Sequence, residues 1–192
     1  LLSVEKSLKD LQLDQVDCLL LHWPEVGTDQ KRVLKLLQEA KDLELTKFIG
    51  LSNFTAEMME TAAVVLHDRP VCNQVEFHPL IDQTFLQRAS AEYGIGLSSY
   101  CSVARGKALD RPEVVKIAES REKTPAQIVL RWILQKGVAL NPMSSRLANI
   151  QANFDVKDFE LTLGEMAEID QLRRENYRIV DKPGVPFAPD WD

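Results

Sequence analysis

Five short apolar runs in the sequence carry, or are followed at once by, side chains that could do chemistry. They are associated with His22-Trp23-Pro24, Ser52-Asn53-Phe54, Asn73-Gln74-Val75-Glu76, Ser99-Tyr100 and the stretch 141–146. These segments offer an imidazole, hydroxyls, amides and aromatic rings, which can exchange hydrogen bonds and stack on a flat ligand. They contain no pair of carboxylates for hydrolysis, and the three histidines lack metal-ligand spacing. No G-x-S-x-G segment of a serine hydrolase is present. The pattern favours a binding or catalytic site without a metal.

Helical patterns alternate with these runs, and the alternation predicts how the side chains are positioned. Apolar residues at three- and four-residue intervals predict helices over 1–11, 33–40, 56–66, 85–93, 112–120, 125–135, 147–153 and 163–173. The runs 16–21, 47–51, 71–77, 95–100 and 138–141 predict strands. Thr124 with Gln127 forms a predicted capping box, Thr162 with Glu165 caps the last helix, and Gly94 ends a helix. The tail from residue 176 has no periodicity and is expected to be a loop.

Strands that alternate with helices predict an α/β fold with a parallel sheet. A doubly wound sheet and a (β/α)8 TIM barrel both fit, but no GxGxxG follows any strand, which weakens the dinucleotide-binding open sheet. A barrel needs eight strands and about 250 residues. The chain has five predicted strands and opens inside a helical pattern. We therefore expect residues 1–192 to be a single domain that supplies about the last five βα units of a barrel plus a C-terminal tail.

Composition excludes several classes of protein. The formal net charge is −6 and the pI is near 5.2, which argues against nucleic-acid binding and against anionic membrane surfaces. No apolar run approaches the roughly 20 residues of a spanning helix. Cys18, Cys72 and Cys101 are far apart and odd in number, so they are expected to be reduced thiols of a cytoplasmic protein.

Each candidate residue also has a purely structural interpretation. His22 could be a satisfied core histidine, although its place at a strand end favours function. Trp23 could simply pack, and Asn53 and Gln74 could satisfy loop backbone. His67 is expected at the surface at the end of a helix, and His78 is expected to brace the turn before Pro79.

Taken together, these motifs resemble the aldo-keto reductase family. The resemblance rests on Leu20 to Pro24, Gly50 to Phe54 and Asn73 to Pro79, and it continues through Thr124 to Gln127 and Asn153 to Val156. It covers essentially the whole chain in order. Gly106 to Leu109 and the closing Ala188 to Asp192 are most similar to the bacterial branch of 2,5-diketo-gluconate and methylglyoxal reductases.

The resemblance implies a (β/α)8 barrel that binds NADPH and reduces small aldehydes or ketones. His22 matches the histidine that polarises the substrate carbonyl, and Trp23 and Trp191 match the walls of the substrate pocket. Further positions match the residues that bind NADPH in the family. Ser52, Asn53 and Gln74 match those that hold the carboxamide, and Tyr100 matches the aromatic residue that stacks on the nicotinamide. The loop with Cys101, Val103, Arg105 and Lys107 matches the one over the pyrophosphate, and the adenosine and 2′-phosphate end is matched by Ser144, Ser145, Arg146, Asn149 and Asn153.

Two departures from the family pattern matter. The family's proton donor is a Tyr tuned by a Lys and an Asp on earlier strands, and Tyr93, Tyr100 and Tyr177 do not match its context. Met143 occupies the position of a Lys that usually faces the 2′-phosphate, and Asn149 that of a frequent Arg. We therefore expect a relaxed preference, with NADH possible.

Three interpretations stay open at this point. The first is an NAD(P)H-dependent carbonyl reductase, monomeric if complete, whose N-terminal part is missing from the sequence. The second is a barrel that binds the nucleotide without turnover, as a regulatory or partner-binding protein. The third is an inactive fragment.

Overall fold

The computed structural model describes residues 1–24 and 29–192. Helices and strands alternate along this part of the chain as the apolar pattern predicts. Their bounds are α1 (Leu2–Leu11), β1 (Val16–Leu21), α2 (Gln30–Asp42), β2 (Thr46–Ser52), α3 (Ala56–Val65), β3 (Cys72–Glu76), α4 (Thr84–Tyr93), β4 (Gly96–Tyr100), α5 (Pro112–Ser120), α6 (Pro125–Gln135), β5 (Ala139–Leu140), α7 (Leu147–Phe154) and α8 (Leu163–Asp170).

The described residues group into two compact units. The first comprises residues 1–74, 84–96 and 181–192, and the second comprises 75–83 and 97–180. The expectation of a single domain over residues 1–192 stays a prediction.

In the first unit, parallel pairing brings three strand ends to one edge. β1 runs beside β2 from Val16↔Thr46 to Leu21↔Leu51, and β2 continues beside β3 at Ser52↔Gln74. Leu34 of α2, Ile49 and Leu51 of β2 and Met59 of α3 are all buried and form part of the apolar core of this unit. The residues that follow β1 and β2 therefore lie at the same edge of the sheet as Gln74.

In the second unit, side-chain caps fix where two helices begin. Thr124 and Gln127 form the predicted capping box of α6, and Thr162 forms one with Glu165 at α8. Glu165 also accepts hydrogen bonds from two guanidinium nitrogens of Arg121, Nε and Nη2, with N···O distances of 2.6 and 2.5 Å. This bidentate hydrogen bond is the main reason why the pKa of Glu165 is lowered to about 2.

Several predicted element bounds are wrong by one to three residues, among them those of the last helix and the last strand. The helix expected to run to residue 173 ends at Asp170, and the chain then tightens into a 3₁₀ turn. The carboxylate of Asp170 accepts hydrogen bonds from Trp132 Nε1 at 2.9 Å and from Lys136 Nζ at 2.7 Å. The strand expected over 138–141 is only Ala139–Leu140, paired in parallel with β4. Asn141 extends this pairing through its backbone N–H, which donates to Ser99 O at 3.2 Å.

The expectations about His67 and His78 are confirmed, whereas the expectation of reduced thiols in a cytoplasmic protein stays a prediction. Cys18, Cys72 and Cys101 are free and half-buried. His67 is exposed beyond the end of α3, and the Nδ1 of His78 accepts the N–H of Leu80 at 3.2 Å, which braces the turn at Pro79. Among the helices that the structure describes, none has the length and apolar character needed to cross a membrane.

Candidate active site

The edge of the first unit is held together by Asn53, directly after β2. Its Nδ2 donates to the backbone oxygen of His22 at 3.0 Å and to Ser52 Oγ at 3.2 Å. Asn53 has φ of 63°, a left-handed conformation that asparagine tolerates better than most residues. The side chain is buried and thereby fixes the end of β1 against the end of β2.

Ser52 and Asn73 connect this edge to β3. Ser52 Oγ and the backbone N–H of Asn53 both donate to the carbonyl of Gln74, each at 2.9 Å. Asn73 Nδ2 donates to Phe54 O at 2.8 Å, and its Oδ1 accepts the N–H of Phe54 at 3.3 Å. The predicted residues Ser52, Asn53 and Gln74 are thus adjacent and rigidly held, and the exposed imidazole of His22 belongs to the same edge.

An aromatic cluster lies beside His22 in this unit. The Trp23 ring packs edge to face on Phe187 and Trp191, with centroids 5.3 and 6.3 Å apart. His22 and Trp23 have centroids 6.1 Å apart. The structure therefore brings together the two predicted tryptophans and adds Phe187, which the sequence did not single out. The side chain of Asp192 fastens the same tail, because it accepts the N–H of Ala56 at the start of α3 at 3.0 Å.

In the second unit, Tyr100 is the last residue of β4 and Cys101 follows it, and both are half-buried. Burial raises the pKa of the Tyr100 phenol, and Glu76 adds to the effect. Burial likewise raises the pKa of the Cys101 thiol, as does Glu76, while Arg105 opposes the shift. The phenol and thiol are therefore neutral near pH 7, which suits packing against a flat ligand better than proton transfer.

The predicted pyrophosphate loop is a tight turn with two cationic residues on its surface. Val103 precedes a 3₁₀ turn at Ala104–Gly106, within which Arg105 has φ of 51°. Both Arg105 and Lys107 are exposed. The Nζ of Lys107 lies 4.0 Å from the centre of the Tyr177 ring, a cation–π contact that connects this loop to the start of the tail.

Two of the five residues predicted for the adenosine end line a groove of about 740 Å³ in the second unit. Ser144 and Asn153 line this groove together with Met143. The other three predicted residues do not line this groove, although they are close in sequence and exposed: Ser145, Arg146 and Asn149. Met143 is 97% exposed, so the position where the family pattern expects a lysine is accessible to solvent.

Glu76, the last residue of β3, is a residue that sequence reasoning left without a role. Its Oε1 accepts the N–H of Ile179 and its Oε2 that of Val180, both at 2.8 Å, and Oε1 also lies 2.8 Å from His78 Nε2. Because His78 Nδ1 accepts a backbone N–H, the imidazole proton is on Nε2 and points at Glu76. The signal available in the sequence was an acidic residue within an apolar run.

With this geometry described, comparison with known proteins identifies the family. The model of the aldo/keto reductase family matches residues 1–174. The chain belongs to the aldo/keto reductase family. It is 40% identical over 190 residues to an aldo-keto reductase of Mycolicibacterium vanbaalenii, covering 98% of this chain and 64% of that protein. It is 38% identical over 194 residues to methylglyoxal reductase DkgB of Yersinia pestis, covering 99% of this chain and 71% of that protein.

Solved aldo/keto reductase structures confirm the α/β fold class and its correspondence to part of a barrel. A protein provisionally assigned as a 2,5-diketo-D-gluconic acid reductase B aligns with 100% of this chain and 68% of its own length, at a TM-score of 0.94 and 38% identity. A variant of Gox0644 in complex with NADPH aligns with 95% of this chain and 68% of its own, at 0.88 and 33%. The chain thus spans about two thirds of the length of the relatives it matches.

Proposed function

We propose that the full-length protein is an NAD(P)H-dependent reductase that converts small aldehydes or ketones to alcohols. The observation that carries the proposal is the edge at which an exposed imidazole, a hydroxyl and two side-chain amides lie at or near the ends of three adjacent parallel strands. Membership of the aldo/keto reductase family supports it. So do the names of two similar proteins, one a methylglyoxal reductase and the other bound to NADPH.

The side chains present fit a nicotinamide cofactor. Ser52, Asn53 and Gln74 offer hydroxyl and amide groups, which can both donate to and accept from a carboxamide. Tyr100 offers a neutral aromatic face for stacking, and Arg105 and Lys107 offer positive charge for a pyrophosphate. Ser144, Ser145, Arg146, Asn149 and Asn153 are the proposed contacts of the adenosine end. When bound, the cofactor supplies the hydride.

His22 is proposed to position and polarise the substrate carbonyl. A neutral imidazole N–H can donate to the carbonyl oxygen, and this hydrogen bond strengthens as negative charge develops there during reduction. Trp23 and Trp191, with Phe187, would form apolar walls that exclude water and so strengthen the same hydrogen bond. The aromatic cluster suits small carbonyl compounds, with methylglyoxal as a first substrate to try.

Proton donation is assigned to none of the tyrosines that this sequence contains. A proton donor that works near neutral pH needs a pKa moved toward neutrality. Burial moves the pKa of Tyr100 the other way, and the pKa of Tyr93 is also raised. In the family that the sequence resembles, the Tyr, Lys and Asp of this group lie on earlier strands of the barrel than those matched by His22 and Asn53.

The proposal is tested by mixing the purified full-length protein with NADPH and methylglyoxal and following the loss of reduced nicotinamide absorbance. We expect turnover that saturates with aldehyde and yields the alcohol. Tight NADPH binding without turnover of any of a panel of aldehydes and ketones would favour the non-catalytic nucleotide-binding barrel instead. Absence of both binding and turnover would contradict the proposal. The intact mass of the same sample, compared with the 21.8 kDa of these residues, shows whether further residues contribute.

We also expect the preference for NADPH over NADH to be weak, below about a thousandfold in Kd. The reason is Met143, which cannot donate to a 2′-phosphate, whereas a charged hydrogen bond contributes roughly 1.5–3 kcal/mol. The exchange Met143→Lys should therefore raise the NADPH preference by about tenfold or more. Because Met143 is exposed, the substitution should leave folding intact. Fluorescence titration with each cofactor measures the ratio, and Met143→Gln is the uncharged control.

A further inference from the structure

Three metal-binding side chains converge on the surface of the first unit, where no site has been assigned. Asp42 is the last residue of α2, and His67 and Asp68 follow α3. His67 Nε2 lies 3.4 Å from Asp42 Oδ1 and 3.6 Å from Asp68 Oδ2, and the potential ligand atoms of all three lie within 4.8 Å of one another. The spacing of the histidines does not predict this cluster, because His67 lies 25 positions after Asp42 in the sequence.

These distances match the spacing of ligands around one metal ion. Zinc bonds of about 2.0–2.2 Å in tetrahedral geometry place ligand atoms roughly 3.3–3.6 Å apart. The separations of the imidazole nitrogen from the two carboxylate oxygens fall in that range. We propose that Asp42, His67 and Asp68 bind a divalent transition-metal ion, Zn²⁺ by the chemistry of the ligands, with water completing its coordination.

Gln38, buried on α2, orients both carboxylates. Its Nε2 donates to Asp42 Oδ1 at 3.0 Å and to Asp68 Oδ2 at 2.8 Å, and its Oε1 accepts the N–H of Asp68 at 3.2 Å. The two oxygens that it holds are the same two that face His67. Hydrogen bonds of this kind to ligating carboxylates are characteristic of protein metal sites, where they fix ligand orientation before the ion arrives.

Two carboxylates lie beside His67 Nε2 at this site, and one of them also meets the cation of Lys41. Gln38 Nε2 and Lys41 Nζ contact different oxygens of Asp68, at 2.8 and 3.2 Å, and so fix the orientation of its carboxylate. Lys41 approaches the other oxygen, Oδ1, at 3.2 Å and leaves Oδ2 to face His67. A bound ion would connect the end of α2 to the segment after α3, since its ligands come from both.

The ligand set also predicts which ions bind. One neutral imidazole and two carboxylates suit zinc, whereas Mg²⁺ prefers oxygen ligands and retains its water. A purely acidic patch would bind both ions weakly and alike. Selectivity for Zn²⁺ over Mg²⁺ therefore distinguishes a built site from surface charge.

The test is a Zn²⁺ titration of the metal-free full-length protein against a chromophoric chelator, with its thiols alkylated so that cysteines cannot bind. We expect one ion per chain at this site. His67→Gln and Gln38→Leu should each weaken Zn²⁺ affinity by about tenfold or more, and Lys41→Met should strengthen it roughly three- to tenfold by removing a nearby cation. Asp17→Asn, which alters an exposed aspartate paired with Lys47, is the control and should change nothing.

Circular dichroism spectra confirm that each variant is folded before it is titrated. A Zn²⁺ affinity that is the same in the wild type and in His67→Gln would overturn the proposal. Equal affinity for Mg²⁺ would do so too, because it would reduce the cluster to an acidic patch. Neither outcome depends on reductase activity, since only metal binding is measured.

Discussion

Replacing His22 by alanine should lower kcat for aldehyde reduction by about 10²–10³-fold, the usual cost of removing one donor to a developing oxyanion. The structure predicts that this substitution leaves the hydrogen bonds around His22 unchanged. The only hydrogen bond described for His22 runs from Asn53 Nδ2 to its backbone oxygen, which alanine retains. The imidazole itself is exposed, so unfolding stability should change by no more than about 0.5 kcal/mol.

Three measurements separate this role from a structural one. Steady-state kinetics give kcat and KM, fluorescence titration gives the Kd of NADPH, and urea unfolding gives stability. We expect kcat to fall while the Kd of NADPH and the stability stay near their wild-type values. His22→Asn should retain more activity than His22→Ala, because its amide can still donate. If kcat of the alanine variant were within threefold of the wild type, His22 would not polarise the carbonyl.

The elements of the fold were largely predictable because they depend on short-range signals. The capping box at Thr124 and Gln127 acts over three residues, and the left-handed Gly94 ends α4 without reference to the rest of the chain. His78 was correctly expected to brace a turn, since Pro79 adjoins it. The end of α8 was missed because Asp170 is held by Trp132 of α6 and by Lys136 just after it, 38 and 34 residues earlier in the sequence.

The candidate site likewise contains residues that local signals predict and residues that only long-range contacts reveal. Strand ends identified His22, Asn53 and Gln74 because parallel strands place their carboxyl ends at one edge. Phe187 and Glu76 were not identified, since their roles depend on contacts across the chain. Glu76 meets Ile179 over 103 positions, and nothing periodic in the sequence marks such a pair. Long-range contacts to the tail are therefore what the structure adds.

The largest stability effect is expected at Glu76. Glu76→Ala removes the acceptor of two backbone N–H groups and of the His78 imidazole, all of them hydrogen-bonded at 2.8 Å to a side chain that is 1% exposed. Buried donors left without acceptors cost about 1–3 kcal/mol each. We therefore expect the free energy of unfolding to fall by about 3 kcal/mol or more, as measured by urea denaturation.

Two further variants show whether the loss comes from the tail contact. Glu160→Gln alters an exposed carboxylate paired with Arg131 and should cost less than about 1 kcal/mol. Glu76→Gln keeps the side-chain shape but places an amide N–H₂ against donors, so the segment at Ile179 should loosen even if the protein still folds. Trypsin should then cleave after Arg178 faster than in the wild type, whereas cleavage after Lys182 stays blocked by Pro183. Two results would contradict this role of Glu76: trypsin cleavage of Glu76→Gln at the wild-type rate, and a loss of less than about 1 kcal/mol in the unfolding free energy of Glu76→Ala. The tail would then be held by the contacts of Phe187 and Trp191 with Trp23 instead.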